Sequence, residues 1–316
     1  MQIFGDEIRF GVHAGPQHAS YDDYLALWRN AEDLGYDWVS VFDHFLPIHG
    51  SEKGLCFEGP TLLGAMAAHT SRVRCGMLVT GVTYRHPAVL ANIVATLDHI
   101  AGGRIEFGLG AAWFELEHEQ YGIPFPRIGE RMDMLDEACR VARGLWTQET
   151  TTFEGRHFHL RDARCEPKPV QQHLPLVIGG SGERRTLRIV AEHADIWNTF
   201  YGDEDEFRHK LGVLAGHCAD VGREPAGIRV SLTFRAVLRD TEREAADAVR
   251  EVFGPVMDNP LMRKMLIAGT PEQCAERLGA LRDLGAGDFL LGTVAPGDAR
   301  TLELIAREVA PAMRAA

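Results

Sequence analysis

Strand-like and helix-like segments alternate from one end of this chain to the other, and that alternation limits the possible folds more than any other feature. Ile8–His13 reads as a strand. Ser20 then has the character of an N-cap, ahead of a helical stripe of Leu27, Ala31 and Leu34 that ends at Gly35. Asp37–Phe42 is a second strand, followed by an Ala-rich helix around Thr61–His69 and a third strand at Val73–Thr80. Pro87 fits the first helical turn of a helix carrying Leu90, Ile93, Val94, Leu97 and Ile100, stopped by Gly102-Gly103. Arg104–Leu109 is strand four and Glu130–Trp146 a long helix. Leu176–Ile178 and Ala194–Trp197 are strands five and six, with a helix near Glu183–His193 between them. A helix over Glu204–Val221, a strand over Ile228–Val237 and helical segments around Glu242–Ile267 continue the pattern. Thr270-Pro-Glu-Gln273 is a capping box before the helix of Leu278, Leu281 and Leu284. Asp288–Leu291 is the eighth strand and Thr301–Met313 the last helix.

Parallel neighbours require crossover connections, which are right-handed helices in nearly all cases. The expected fold class is therefore α/β, a (β/α)8 TIM barrel, with an open doubly wound sheet as its rival. Even spacing and the lack of a linker favour closure, in one barrel domain over residues 1–316. That length accommodates the roughly 250 residues of a typical barrel plus insertions. One insertion is visible: Thr151–Leu160 breaks the rhythm and reads as a small hairpin with a Glu-Gly turn.

Composition excludes some functions. A formal net charge of −12 disfavours nucleic acid and anionic membranes as partners. The six cysteines are scattered without any C-x-x-C spacing. Met1–Phe10 lacks the apolar core of a signal peptide, and no run approaches the roughly 18 apolar residues of a membrane span. A cytoplasmic protein with reduced thiols is expected.

A barrel carries its chemistry at the C-terminal ends of the strands. Asp43-His44 follows strand two: a proton shuttle, or a capping Asp beside a packed His. Gly81-Val82-Thr83 follows strand three, where glycine lets backbone approach a flat ligand or simply forms a turn. Gly110-Ala111-Ala112 follows strand four, with room for a large ligand or for close helix packing. Gly179-Gly180-Ser181-Gly182 follows strand five, and exposed N–H groups before a helix suit a phosphate. No Gly-Lys-Ser/Thr follows, and Arg185 stands where a dinucleotide fingerprint needs its third glycine. His157 and His159 have the spacing of a metal pair but lie in the hairpin, so no metal is expected.

These segments together resemble the luciferase-like monooxygenase superfamily over nearly the whole chain. The resemblance rests on Trp38–His44, Arg85-His-Pro87 with its helix to Asp98, Gly103–Gly110, Gly129–Met132 with Leu135–Glu137, Gly155–Phe158 and Ile178–Ser181. It implies a homodimeric barrel that acts on a small-molecule substrate and binds FMN or the deazaflavin coenzyme F420 at the C-terminal mouth. Asp43-His44 is similar to the F420 branch, whereas FMN users more often carry Glu-His there. Hydride transfer between F420 and an organic substrate is the implied activity. An FMN-dependent monooxygenase and a non-catalytic flavin-binding barrel are the alternatives. His44 is the implied proton donor or acceptor, and Asp43 would orient it or contact the coenzyme. Gly81, Val82, Thr83, Gly110, Ala111 and Ala112 would line the ring, and Gly179–Gly182 would hold the phosphate. The resemblance also implies a cis peptide bond between Gly81 and Val82. Ile48 and Ala111 stand where glucose-6-phosphate and secondary-alcohol dehydrogenases carry Trp and Glu, so neither activity transfers.

Overall fold

The computed structural model describes residues 7–200, 202–253 and 266–315. Eight parallel strands close a barrel: β1 (Arg9–Ala14), β2 (Trp38–Val41), β3 (Arg74–Gly81), β4 (Ile105–Gly110), β7 (Leu176–Gly179), β8 (Ile196–Phe200), β9 (Arg229–Leu238) and β11 (Ala286–Thr293). Closure runs through β8–β9, β9–β11 and β11–β1, so no barrel edge is left open. The hairpin is β5 (Thr151–Glu154) paired antiparallel with β6 (His159–Ala163).

The helices form the outer layer: α1 (Tyr21–Leu34), α2 (Gly59–His69), α3 (Pro87–Ile100), α4 (Glu115–Tyr121), α5 (Ile128–Thr147), α6 (Thr186–His193) and α7 (Glu204–Val221). After them come α8 (Glu242–Phe253), α9 (Pro271–Asp283), α10 (Ala299–Leu304) and α11 (Ala310–Ala315). Local chemistry sets their ends. The Ser20 hydroxyl accepts from the Asp23 N–H while Asp23 accepts from the Ser20 N–H, a reciprocal cap. Gly35 closes α1 at φ 83°, a left-handed conformation that glycine takes without steric cost. Thr270 and Gln273 cap α9 in the same way as Ser20 and Asp23. Among the described residues, no helix is long and apolar enough to cross a membrane.

Three expectations need correction. The segment expected to be helical over Glu242–Ile267 ends in a strand, β10 (Leu266–Gly269), which adds to the outer end of β9; residues 254–265 lie outside the described residues. A four-residue apolar run has too few turns to declare a period. Helix α6 begins at Thr186, not near Glu183, because the chain first turns through Gly180 at φ 120°. Helix α4 was not expected. Its sequence, ELEHEQY, is polar all round and shows no apolar stripe.

The barrel interior is layered. At its floor, Arg9 donates to Glu106 and to Asp288, both at 2.6 Å. Arg74 bonds Glu106 and Arg229 bonds Asp288. Above them Trp38, Leu78, Val177, Ile196 and Leu290 form an apolar layer. Polar residues return toward the mouth, where Asn198 donates to Ser231 and Thr233 at 3.1 and 3.2 Å. The outer faces of the strands pack on the helices in one large core.

Burial opposes ionisation of Glu106, but Arg9 and Arg74 more than offset it and hold the carboxyl below the usual range. Removing one partner of a buried ion group typically costs about 3–5 kcal/mol. Glu106→Ala should lower unfolding stability by that amount in a urea titration. A depressed pKa contributes stability above the unfolded carboxyl value of about 4.3 and loses it as pH falls through the folded value. Stability of the native protein should therefore drop below about pH 4, and Glu106→Gln should flatten part of that drop. An unchanged urea midpoint for Glu106→Ala would show that the floor layer does not hold the barrel.

Candidate active site

The C-terminal ends of β2, β3 and β4 converge on one side of the mouth. Asp43 and His44 leave β2 in succession, and consecutive residues of an extended chain face opposite ways. Asp43 is fully buried. Its Oδ2 accepts from the Thr80 hydroxyl and, at 2.5 Å, from Arg85; Arg85 also pairs with Glu58, which caps α2. Burial pushes the Asp43 carboxyl up, against the pull of Arg85 and Thr80.

His44 turns toward α4. Its Nδ1 lies 2.8 Å from Glu117 Oε1, and the other Glu117 oxygen accepts from the Phe45 N–H at 2.8 Å. The Tyr84 hydroxyl also donates to Glu117 Oε1. Burial works against charge on Glu117, yet the bonds from His44, Tyr84 and Phe45 hold its carboxyl below the usual range. Burial and the neighbouring Glu117 push the Tyr84 phenol up. An ionised Glu117 accepts at Nδ1–H, which fixes the imidazole tautomer. The remaining nitrogen, Nε2, has no hydrogen-bond partner among the described residues. The rings of Phe42, Tyr84, Trp113 and Phe114 pack edge-on around the imidazole at 5.3–6.2 Å.

The carboxylate that meets His44 is thus Glu117, not the adjacent Asp43. No carboxylate follows the Gly-x-Gly of β4 directly, where Ala111 stands, and α4 delivers one further along the chain. The sequence signs of this helix were an acidic first turn and Gly122 at its end. Glu117 and His118 are both fully buried in it, and His118 Nε2 lies 2.7 Å from the Thr83 hydroxyl.

The non-prolyl cis peptide bond lies at Leu78–Val79, upstream of the expected Gly81–Val82. The reason lies in the ladder. Gly81 pairs in register with Gly110 and the Val82 N–H donates to Gly110 at 2.9 Å, so the strand is regular there. The irregularity in register falls between Met77 and Thr80. Val82 is buried in the outer core, whereas Val79 is half-buried on the inside. Its methyl groups lie over Gly108, Gly110 and Gly179, at 2.7–3.0 Å from where a Cβ on each would stand. Three glycines on two strands make the seat for this one side chain. Ala112, beyond Gly110, has φ 59°, and a Cβ on Gly81 would meet it at 3.0 Å.

Next to β4, the loop after β7 is a second recess. Gly180 has φ 120°; its N–H donates to Asn198 and its carbonyl accepts from Trp197 Nε1 at 2.8 Å. The N–H groups of Ser181 and Gly182 have no hydrogen-bond partner among the described residues. They border a cavity of about 500 Å³ between this loop, the start of α5 and Lys210. His157 and His159 stay in the hairpin, away from the mouth. Asp136, Glu192 and His193 come within metal-ligand range of one another, but Arg140 and Arg188 already pair with the two carboxylates.

The sequence profile of the luciferase-like monooxygenase family matches residues 6–264. An uncharacterized protein of Mycobacterium tuberculosis is 34% identical over 191 residues, 60% of this chain; the match spans 66% of that relative's length. An F420-dependent glucose-6-phosphate dehydrogenase of Microbacterium testaceum is 26% identical over 97% of this chain and 98% of its own. An FMNH(2)-dependent dimethylsulfone monooxygenase of Pseudomonas putida is 26% identical over 87% and 84%. Among solved structures, an F420-dependent secondary alcohol dehydrogenase superposes with a TM-score of 0.84 at 21% identity, covering 97% of this chain and 99% of that one.

The Val79 seat is open to a direct test. A methyl group on Gly108 would collide with the Met77 carbonyl as well as with Val79, and overpacking of this kind typically costs about 1–3 kcal/mol. Gly108→Ala should lower stability by that much. Gly212→Ala in α7, where nothing lies within 4 Å, should gain up to about 1 kcal/mol from helix propensity. Equal melting temperatures for the two variants would contradict the packing described.

Proposed function

The chain belongs to the luciferase-like monooxygenase family, and from that premise we propose that it transfers a hydride between coenzyme F420 and a small organic substrate at the barrel mouth. The observation that carries this reading is the His44–Glu117–Tyr84 cluster, set beside the glycine-seated Val79 at the C-terminal ends of β2, β3 and β4. The F420-dependent relative of nearly equal length supports it.

The residues present fit such a cofactor. Val79, with Gly110, Ala111 and Ala112 beside it, offers a flat apolar bed without projecting side chains. The free N–H groups of Ser181 and Gly182 suit a phosphate. Val79 takes the part that the sequence assigned to Val82. Bound deazaflavin supplies a carbon centre that gives or takes a hydride. The chain supplies proton control. Glu117 holds Nδ1–H of His44, so Nε2 is free to take a proton from a substrate hydroxyl or return one to a carbonyl. Imidazolium formed at His44 is stabilised by the carboxylate behind it, the logic of a base oriented by a third group. Asp43 acts on this site from below: with Arg85 and Thr80 it fixes the backbone that presents His44, or it reaches the cofactor. The relative that uses FMNH(2) supports a second reading, a flavin monooxygenase on the same site. A cytoplasmic homodimer completes the proposal, and light scattering showing only monomer at micromolar concentration would remove the dimer.

Side-by-side fluorescence titrations with F420 and FMN test the proposal. Saturable F420 binding with much weaker FMN binding is expected; the reverse preference would move the chain to the monooxygenase reading. His44→Gln and Glu117→Gln should keep cofactor affinity within a few-fold. With an accepted substrate, each should lower turnover, His44→Gln by about 10²–10⁴. Full turnover in the His44 variant would remove it from the reaction.

A further inference from the structure

One charged side chain at the mouth is left over by this account. Arg235 lies on β9, where Arg229, Ser231 and Thr233 face the barrel interior through their bonds to Asp288 and Asn198. Alternation along the strand puts Arg235 on the same face, one step above Thr233. Its Cγ lies 3.7 Å from where a Cβ on Gly292 of β11 would stand. The missing side chain at 292 thus leaves the space the arginine stem crosses. Gly292 is in register with His13 of β1, so the arginine leans toward the β11–β1 side of the mouth. It forms no hydrogen bond or ion pair with any described residue. Arg9, Arg74 and Arg229 on the barrel floor and Arg85 on the β2–β3 side, by contrast, have carboxylate partners. Desolvation without such a partner makes the charge on Arg235 costly to hold.

The surroundings say what would complete it. His13 is hydrogen-bonded to Ser40 at 2.9 Å. Its pKa is pushed down to about 4, first by burial and then by Arg235 itself. Burial, Arg235, His44 and His18 push His49 down as well. Both shifts favour the neutral imidazole at His13 and His49, which leaves the Arg235 guanidinium as the charge to be balanced. A monoanion balances it, which a doubly charged phosphate does not. Exposed apolar side chains stand at the same end of the barrel: Leu55, Trp113, Phe200 and Val294, from the loops or ends of β2, β4, β8 and β11, are all more than half exposed. A cation at the same end as these side chains fits a ligand with an apolar body and one carboxylate, to which arginine bonds in bidentate fashion.

We propose that Arg235 is the anchor for the carboxylate of an organic-acid substrate held in the same mouth as His44. This deepens the function proposed above and rests on it for the location of the reacting centre, but the anion site itself can be tested without cofactor.

The probes are phenylacetate, benzoate and hexanoate, each compared with its alcohol, and inorganic phosphate. They are titrated calorimetrically into the full-length protein and into Arg235→Gln and Arg235→Lys. At least one carboxylate should bind the native protein more tightly than its alcohol. That preference should fall by about 10- to 100-fold in Arg235→Gln, the range for a lost charged hydrogen bond, and be partly kept in Arg235→Lys. Phosphate should not compete. Both variants should melt with the native protein, because Arg235 bonds none of the described residues. The proposal is overturned if no carboxylate outbinds its alcohol, if phosphate competes, or if Arg235→Gln binds carboxylates unchanged. Unfolding of both variants would also overturn it, by giving the guanidinium a structural role. So would a loss of cofactor affinity in place of carboxylate affinity, by placing Arg235 in the cofactor site. Failure of the native protein to bind F420 or FMN, with the carboxylate preference intact, would instead remove the cofactor reading and leave the anion site standing.

Discussion

Everything at the mouth depends on a layer of charge at the opposite end of the barrel. Eight strands enclose a space that must be filled, and side chains of neighbouring strands fill it in tiers. Here the lowest tier is ionic: Arg9 bridges Glu106 of β4 and Asp288 of β11, with Arg74 and Arg229 behind them. Four further strands are thereby tied to β1 at one level. Buried charge is no bargain by itself, but mutual pairing at fixed distances sets the register in which the strands meet. The apolar tier of Trp38, Leu78, Val177, Ile196 and Leu290 then rests on it. With the lower half packed solid, the upper half is free to carry small and polar residues.

That freedom is used unequally. On the β3–β4–β7 side the tier above is Val79 on a bed of Gly108, Gly110 and Gly179, which leaves a shallow apolar surface. On the β2 side two carboxylates with different neighbours stand a few residues apart in space and far apart in chemistry. Asp43 is neutralised by Arg85 and fully buried. Glu117 has no arginine partner; its side-chain donors, His44 and Tyr84, themselves carry transferable protons. Paired groups whose surroundings set them apart mark the acid and base assignments of a site.

How much of this was legible in the sequence follows from the range of each interaction. Barrel strands and capped helices announce themselves locally, through apolar runs, Ser20, Thr270 and Gly35, and those elements lie where the sequence puts them, to within a few residues. Positions after the strands were legible too, since the barrel dictates where chemistry sits; His44, Gly110 and Gly179–Gly182 all reach the mouth or its loops. What was hidden is what depends on partners distant in the chain. Glu117 sits in a polar seven-residue helix with no periodic signal, and its value comes from His44, 73 residues earlier. The irregularity in β3 is placed by glycines on β4 and β7, which nothing within β3 reports. Arg235 looks like any surface arginine until the side chains facing it are known.

The central claim is that Val79, the His44–Glu117 couple and the Ser181–Gly182 loop are parts of one cofactor and substrate site. A crystal structure of the protein grown with F420 tests it most directly. The account predicts ring density lying against Val79, within reach of the His44 side of the mouth, and phosphate density on the N–H groups of Ser181 and Gly182. Ring density anywhere outside the C-terminal mouth, or a phosphate held elsewhere while that loop stays empty, would contradict it.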